Sequence, residues 1–292
     1  MFKGSIVALT TPMRPDGALD EAAFERHVAW QIESGSSGVV PCGTTGESPT
    51  LTDHEHRRLI ELAVRVADGR VPVIAGTGSS STAEAIETTR HAREAGAAAA
   101  LVVTPYYNKP TQDGLFRHFS AIADAVDLPI IIYNIPSRSV IDMSVDTMTR
   151  LSRHPNIIGV KDATANLLRP LQIRRAAGPE FCQLSGEDGT ALAFNAAGGS
   201  GCISVTANVA PRLCAEMQAA WDRGDIRAAM ALQEKLLPLH DALFLESNPA
   251  PVKYAASLLG RSSEFCRLPL APLLDQTRER VRAAMEEVGL LG

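Results

Sequence analysis

Short runs of β-branched and other apolar residues recur along the chain. Each is closed by polar residues or glycine and followed by a longer stretch with apolar positions three and four apart. The runs cover residues 5–9, 38–41, 73–75, 100–103, 130–133, 157–160, 182–184 and 201–204, and their composition predicts eight strands. Residues 21–34, 53–67, 82–95 and 112–125 carry the helical spacing. Capping boxes are expected at Thr52 with Glu55 and at Ser81 with Glu84, and Gly35, Gly69 and Gly96 stand where helices would stop. Eight strand-then-helix units favour a closed (β/α)8 TIM barrel over an open doubly wound sheet. From Asp225 onward the strand pattern ceases, and residues 225–244, 249–259 and 272–288 read as helices. The expected division is an α/β barrel over residues 1–224 and a small C-terminal helical extension over 225–292.

Composition narrows the function. Of 292 residues, 45% are hydrophobic and 21% charged, enough for a large core. The net charge of −5 comes without a basic block, so neither a nucleic-acid groove nor a membrane-binding patch is expected. No apolar run is long enough to span a bilayer, and the first residues lack the layout of a signal peptide. Five scattered cysteines without a CxxC pair predict free buried thiols and a cytoplasmic protein.

In a (β/α)8 barrel, chemistry sits where strands end. Lys161 closes the sixth run, and a two-residue period puts it on one face with Ile157 and Gly159. On the barrel interior its amine would be partly desolvated and nucleophilic toward carbonyls; the alternative is an ordinary strand-end lysine paired with Asp162. Tyr133 shares a face with Ile131 and is either a proton shuttle or a core-edge tyrosine. Arg138, five residues on, suits a carboxylate clamp or a surface ion pair. The turn Gly43-Thr44-Thr45-Gly46-Glu47 offers N–H groups and hydroxyls to an anion, or is a polar turn before a helix. Tyr106-Tyr107 suits an interface anchor or a site residue. The chain has no P-loop, complete dinucleotide fingerprint or GxSxG elbow, and His54 and His56 point to different helix faces, so a metal-dependent aldolase and a NAD enzyme are disfavoured.

Taken together, Gly43-Thr44-Thr45-Gly46-Glu47, Tyr106-Tyr107-Asn108, Tyr133-Asn134-Ile135-Pro136-Ser137-Arg138 and Gly159-Val160-Lys161-Asp162-Ala163-Thr164 resemble the dihydrodipicolinate synthases of the N-acetylneuraminate lyase superfamily. The resemblance extends to Leu184-Ser185-Gly186-Glu187-Asp188, to Gly201 through Asn208, and to Asn248-Pro249-Ala250-Pro251-Val252-Lys253, so it spans the whole chain. It implies a Schiff-base aldolase that joins pyruvate to L-aspartate 4-semialdehyde. Lys161 would form the imine. Tyr133, Thr44 and Tyr107 would relay protons, with Tyr107 supplied by a neighbouring subunit of a homotetramer. Thr44, Thr45 and Gly46 would hold the pyruvate carboxylate, with the Ile203 backbone near Lys161, and Arg138 would bind the carboxylate of the second substrate. Ser48, His56, Glu84 and Tyr106 would line an inhibitory lysine site, with Asp53 and Ser80 departing from lysine-sensitive types. Val140-Ile141 replaces a Thr-Gly pair common in these synthases, which bears on the Arg138 loop. The rivals are a sugar-acid lyase sharing Lys161 and Tyr133, and a silent barrel used as a scaffold.

Overall fold

The structure is a computed structural model and describes residues 2–292. Eight parallel strands, β1 (Gly4–Ala8), β2 (Gly38–Val40), β3 (Ile74–Gly76), β4 (Ala99–Val103), β5 (Ile130–Asn134), β6 (Ile157–Asp162), β7 (Cys182–Ser185) and β8 (Gly201–Ser204), pair in the order β2-β1-β8-β7-β6-β5-β4-β3. A parallel bridge between Val39 and Val73 joins the two ends, so the sheet curls into a barrel. The connecting helices are α1 (Glu21–Glu33), α2 (Asp53–Ala67), α3 (Thr82–Glu94), α4 (Gln112–Ala125), α5 (Pro136–Ser139), α6 (Val145–Leu151), α7 (Arg169–Ala177), α8 (Ala191–Ala196) and α9 (Pro211–Asp222). Beyond them come α10 (Ile226–Ala242), α11 (Ala250–Leu258) and α12 (Asp275–Glu287). The expected (β/α)8 TIM barrel with C-terminal helices is the observed architecture. Between β5 and β6 the pattern marks neither α5 nor α6, because four and seven residues are too few to establish a helical period.

Strand alternation sorts the apolar side chains into two layers. Ile6, Ala8, Val40, Ile74, Leu101, Ile131, Leu184 and Ile203 fill the barrel interior. Val7, Val39, Ala75, Ala100, Ile132 and Val160 face outward and pack under the helices. One detail departs from a strict two-residue period. Ile130 pairs with Ile157, but Ile131 pairs with Gly159, so β6 carries an extra residue at Ile158. Ile157 therefore lies in the outer layer, Ile158 packs on the interior, and the face expected to join Ile157 to Lys161 is broken by this bulge. Gly159 fits because a Cβ there would stand 2.4 Å from the Cys182 carbonyl oxygen.

Helix ends follow the signals with one correction. The Thr52–Glu55 capping box is closed in both directions. At α3, Ser81 accepts from the Glu84 N–H at 3.4 Å, but the Glu84 carboxylate does not reach back to the cap. Ser79 intervenes: its hydroxyl accepts from the Ser81 N–H at 3.0 Å and donates to Glu84 at 2.5 Å. Gly35, Gly69 and Gly96 take φ of 98°, 71° and 92°, the left-handed conformation that lets the chain leave a helix. Four cysteines are buried and free; Cys266, also free, is half-buried, contrary to the expectation that all five would be buried.

Candidate active site

β6 runs on to Asp162, so Lys161 is inside the strand and directly opposite Tyr133 of β5. Lys161 is only 5% exposed, and its Nζ lies 4.2 Å from the centroid of the Tyr133 ring. It has no carboxylate partner among the described residues. Asp162, the alternative partner, is taken by the Arg169 guanidinium at 3.2 Å and by Thr164. A methyl group at Gly186 would come within 3.1 Å of Lys161 Cε, so the β7 loop also closes on this side chain. Next to it, burial raises the Glu187 carboxyl above the ordinary carboxylate range, reinforced by Asp188 and opposed by the Lys161 amine. A buried amine without an acid partner is suited to attack a carbonyl, because desolvation favours its neutral form.

The Tyr133 ring also forms part of the wall of a cavity of about 230 Å³ at this end of the barrel. Thr44 and Gly43 enter from the β2 loop, Leu101 and Val103 from β4, and Ile135 and Arg138 from the segment after β5. Thr44–Gly46 forms a 3-10 turn. The N–H groups of Gly46 and Glu47 donate within the turn, to Gly43 at 3.0 Å and Thr44 at 3.1 Å, and the Gly46 carbonyl accepts from Thr11 at 2.7 Å. Gly46 is thus already engaged, whereas the N–H groups of Thr44 and Thr45 have no partner among the described residues. The turn offers an anion those two donors and the half-buried Thr44 hydroxyl. Thr44 and Tyr133 share the cavity but are not hydrogen-bonded to each other. Ile203 is fully buried in the interior layer.

Arg138 is exposed at the cavity edge. Its Nη2 donates to the Asn248 carbonyl at 3.4 Å, and no carboxylate pairs with it among the described residues. The surface ion pair that was its alternative reading is absent there, and a free guanidinium facing a cavity suits a carboxylate-bearing ligand. Tyr107 is not brought to this chain's own cavity. It is 94% exposed, with φ of 59°. Tyr106 does line the cavity, and also a second one of about 200 Å³. That second cavity gathers Ser48, His56 and Glu84 as well, together with Asp53. Burial holds the His56 imidazole below its usual range. Ser80 is not in its wall; its hydroxyl donates to the Tyr106 carbonyl at 2.9 Å.

The sequence reading missed what holds the threonine turn. Glu47, at φ of 58° and wholly buried, takes the Lys253 ammonium at 2.5 Å and the Arg267 N–H at 2.9 Å. Asn248 donates to the Thr45 hydroxyl at 3.0 Å. The Arg267 side chain clamps Glu55, at 2.5 Å, which holds that carboxyl down to about 2. The C-terminal extension therefore braces the site. The available signal was Lys253 itself, a lone charge in the apolar run of α11.

The same fold recurs in known proteins. The dihydrodipicolinate synthetase family matches residues 1–288. The chain is 69% identical, over the full length of both, to the 4-hydroxy-tetrahydrodipicolinate synthase of Acidiphilium cryptum. It is similar to the crystal structure of the chloride-inhibited dihydrodipicolinate synthase from Acinetobacter baumannii complexed with pyruvate, with a TM-score of 0.97 and 47% identity over 100% of both chains. It is also similar to the lysine-bound enzyme from Cyanidioschyzon merolae, with a TM-score of 0.96 and 39% identity over 99% of each. This chain belongs to the dihydrodipicolinate synthetase family.

Proposed function

We propose that the chain is a 4-hydroxy-tetrahydrodipicolinate synthase, a lyase that condenses pyruvate with L-aspartate 4-semialdehyde for lysine and diaminopimelate biosynthesis. The observation that carries this reading is the unpaired, buried Lys161 on the Tyr133 ring, beside a cavity edged by an unpaired guanidinium. Lys161 Nζ attacks the keto carbon of pyruvate, and loss of water leaves the imine. Thr44 and Thr45 hold the pyruvate carboxylate. A proton leaves the methyl carbon, giving the enamine, with Tyr133 as the acid–base group and Thr44 and Tyr107 passing the proton outward. The enamine carbon attacks the aldehyde, whose own molecule is held through its carboxylate by Arg138. Its amine then attacks the imine carbon, the ring closes and Lys161 leaves as a free amine. One water is released overall. The imine serves as electron sink, so the reaction needs no cofactor.

The assembly reading is a homotetramer. Tyr107 and, near the start of α7, Leu167, Leu168 and Leu171 are exposed apolar side chains, which supports subunit contacts. No helix among the described residues is long and apolar enough to cross a membrane, in keeping with the proposed cytoplasmic location. The barrel is assigned to residues 1–224 and the extension to 225–292, a boundary falling between α9 and α10. The second cavity is proposed to bind L-lysine through Glu84 and Tyr106, weakly, because Asp53 in its wall departs from lysine-sensitive types, as does Ser80, which lies outside the wall and bears on it only through the Tyr106 carbonyl. Calorimetric titration with L-lysine should show weak binding and partial inhibition; tight binding with full inhibition would contradict it.

The deciding experiment is a coupled assay that offers pyruvate with aspartate semialdehyde, and separately sialic acid for cleavage. Condensation is expected with the first. Arg138→Ala should raise KM for the semialdehyde well above any effect on pyruvate, since a lost charge-assisted contact costs about 1.5–3 kcal/mol. Cleavage of sialic acid without condensation would establish the sugar-acid lyase instead.

A further inference from the structure

Arg169, at the start of α7, is 6% exposed and lines neither cavity, yet its guanidinium reaches two segments of the site directly and a third through them. Its Nε donates to Asp162 Oδ2 at 3.2 Å. Its Nη1 lies 3.1 Å from one carboxylate oxygen of Asp142 and 3.2 Å from the other. Its Nη2 donates to the Met143 carbonyl at 2.6 Å. The network closes through Asn134, whose amide donates to Asp142 at 2.8 Å and whose oxygen accepts the Met143 N–H at 3.1 Å.

Each acceptor sits beside a residue of the site. Asp162 follows Lys161 on β6, Asn134 follows Tyr133 on β5, and Asp142 and Met143 lie in the loop between α5, which carries Arg138, and α6. Strand alternation turns Asp162 away from the Lys161 face, and there Arg169 satisfies it. The carboxylate nearest in sequence to the lysine is thereby neutralised without using the lysine. A lysine in place of Arg169 could not reproduce this pattern, because a single ammonium has no planar fork aimed in three directions.

We infer that Arg169 is a positioning residue: it fixes the ends of β5 and β6 and the Arg138 loop relative to one another, so that imine formation and recognition of the second substrate depend on separate legs of one network, buried at Asp162 and exposed at Asp142. The inference rests on the functional reading above. Its consequence is separability. The Asp162 leg should govern the placement of Lys161, and the Asp142 leg that of Arg138.

The test uses four variants of the full chain, Asp162→Asn, Asp142→Asn, Arg169→Met and Arg169→Lys, with folding checked by circular dichroism. Two readouts are taken: the rate at which pyruvate is trapped on Lys161 by borohydride, and KM for aspartate semialdehyde. Asparagine at 162 keeps its oxygen on Thr164 and turns an NH2 toward Arg169 Nε, while asparagine at 142 removes the charge and leaves Nη1 one neutral acceptor, so the first leg is broken and the second weakened with little change in shape. Asp162→Asn should slow trapping by about tenfold and leave KM nearly unchanged, while Asp142→Asn should raise KM by about tenfold and leave trapping nearly unchanged. Arg169→Met should move both, and Arg169→Lys should fail to restore them. Folded aspartate variants with wild-type values, or with both readouts moved together, would overturn the inference, and they decide it even if Arg169→Met does not fold. A wild-type chain that traps no pyruvate would overturn the functional reading and this role with it, which separates the two failures.

Discussion

Lys161 and Lys253 are both buried, and they are opposite in kind. Lys253 is fully enclosed and bound to Glu47, a pair whose members stand 206 residues apart in sequence. Removing either partner would strand a buried charge, so this lysine is structural. Lys161 has an aromatic ring in place of a carboxylate. Val140 belongs to the same scale. It occupies φ of 64° with a β-branched side chain and is 68% exposed, two residues after Arg138. That conformation costs about 1–3 kcal/mol, and glycine gives back about 0.5–1 kcal/mol through the unfolded chain. Val140→Gly should therefore stabilise the protein by about 1 kcal/mol in urea unfolding; a loss of stability would contradict this. Lys161, Tyr133 and Arg138 were legible because each sits at or just after an apolar run. Glu47 with Lys253, and Arg169 with Asp162 and Asp142, were not, because their meaning lies in partners that only the closed barrel brings together.

At the scale of elements, strands and most helices follow from the apolar period. The bulge in β6 does not: residues 157–161 read as a plain alternating strand, and only pairing with β5 reveals the extra residue. Histidines show a further effect of packing. His27 of α1 is buried and its Nε2 meets Asn208 Oδ1 at 3.0 Å. Burial pushes His27 down to about 4 despite that hydrogen bond, and burial pushes His118 of α4 down to about 4 as well. The unfolded chain takes up these protons near pH 6.5, the folded chain only near pH 4, so stability is lost as pH falls between those values. Each group contributes on the order of 3 kcal/mol over that window. Urea unfolding of wild type against His27→Gln from pH 7 to 4.5 should show a shallower decline in the variant. Equal slopes would contradict the assignment to His27.

At the scale of the molecule, the barrel carries the proposed reactive groups, and the segment after α10 holds the turn that presents Thr44 and Thr45. Lys253, Asn248 and Arg267 all reach back to the loop that follows β2, so the extension belongs to the site. Tyr107 is 94% exposed and lies outside this chain's own cavity. Tyr107→Phe should lower turnover while sedimentation shows the same assembly as wild type; full turnover in that variant would remove it from the proton relay. The most direct test of the whole account is to incubate the enzyme with pyruvate, reduce with borohydride, digest it and locate the adduct by mass spectrometry. The account predicts a reduced pyruvate adduct on Lys161, with Lys253 unmodified. An adduct on another lysine with Lys161 bare, or no adduct at all, would contradict it.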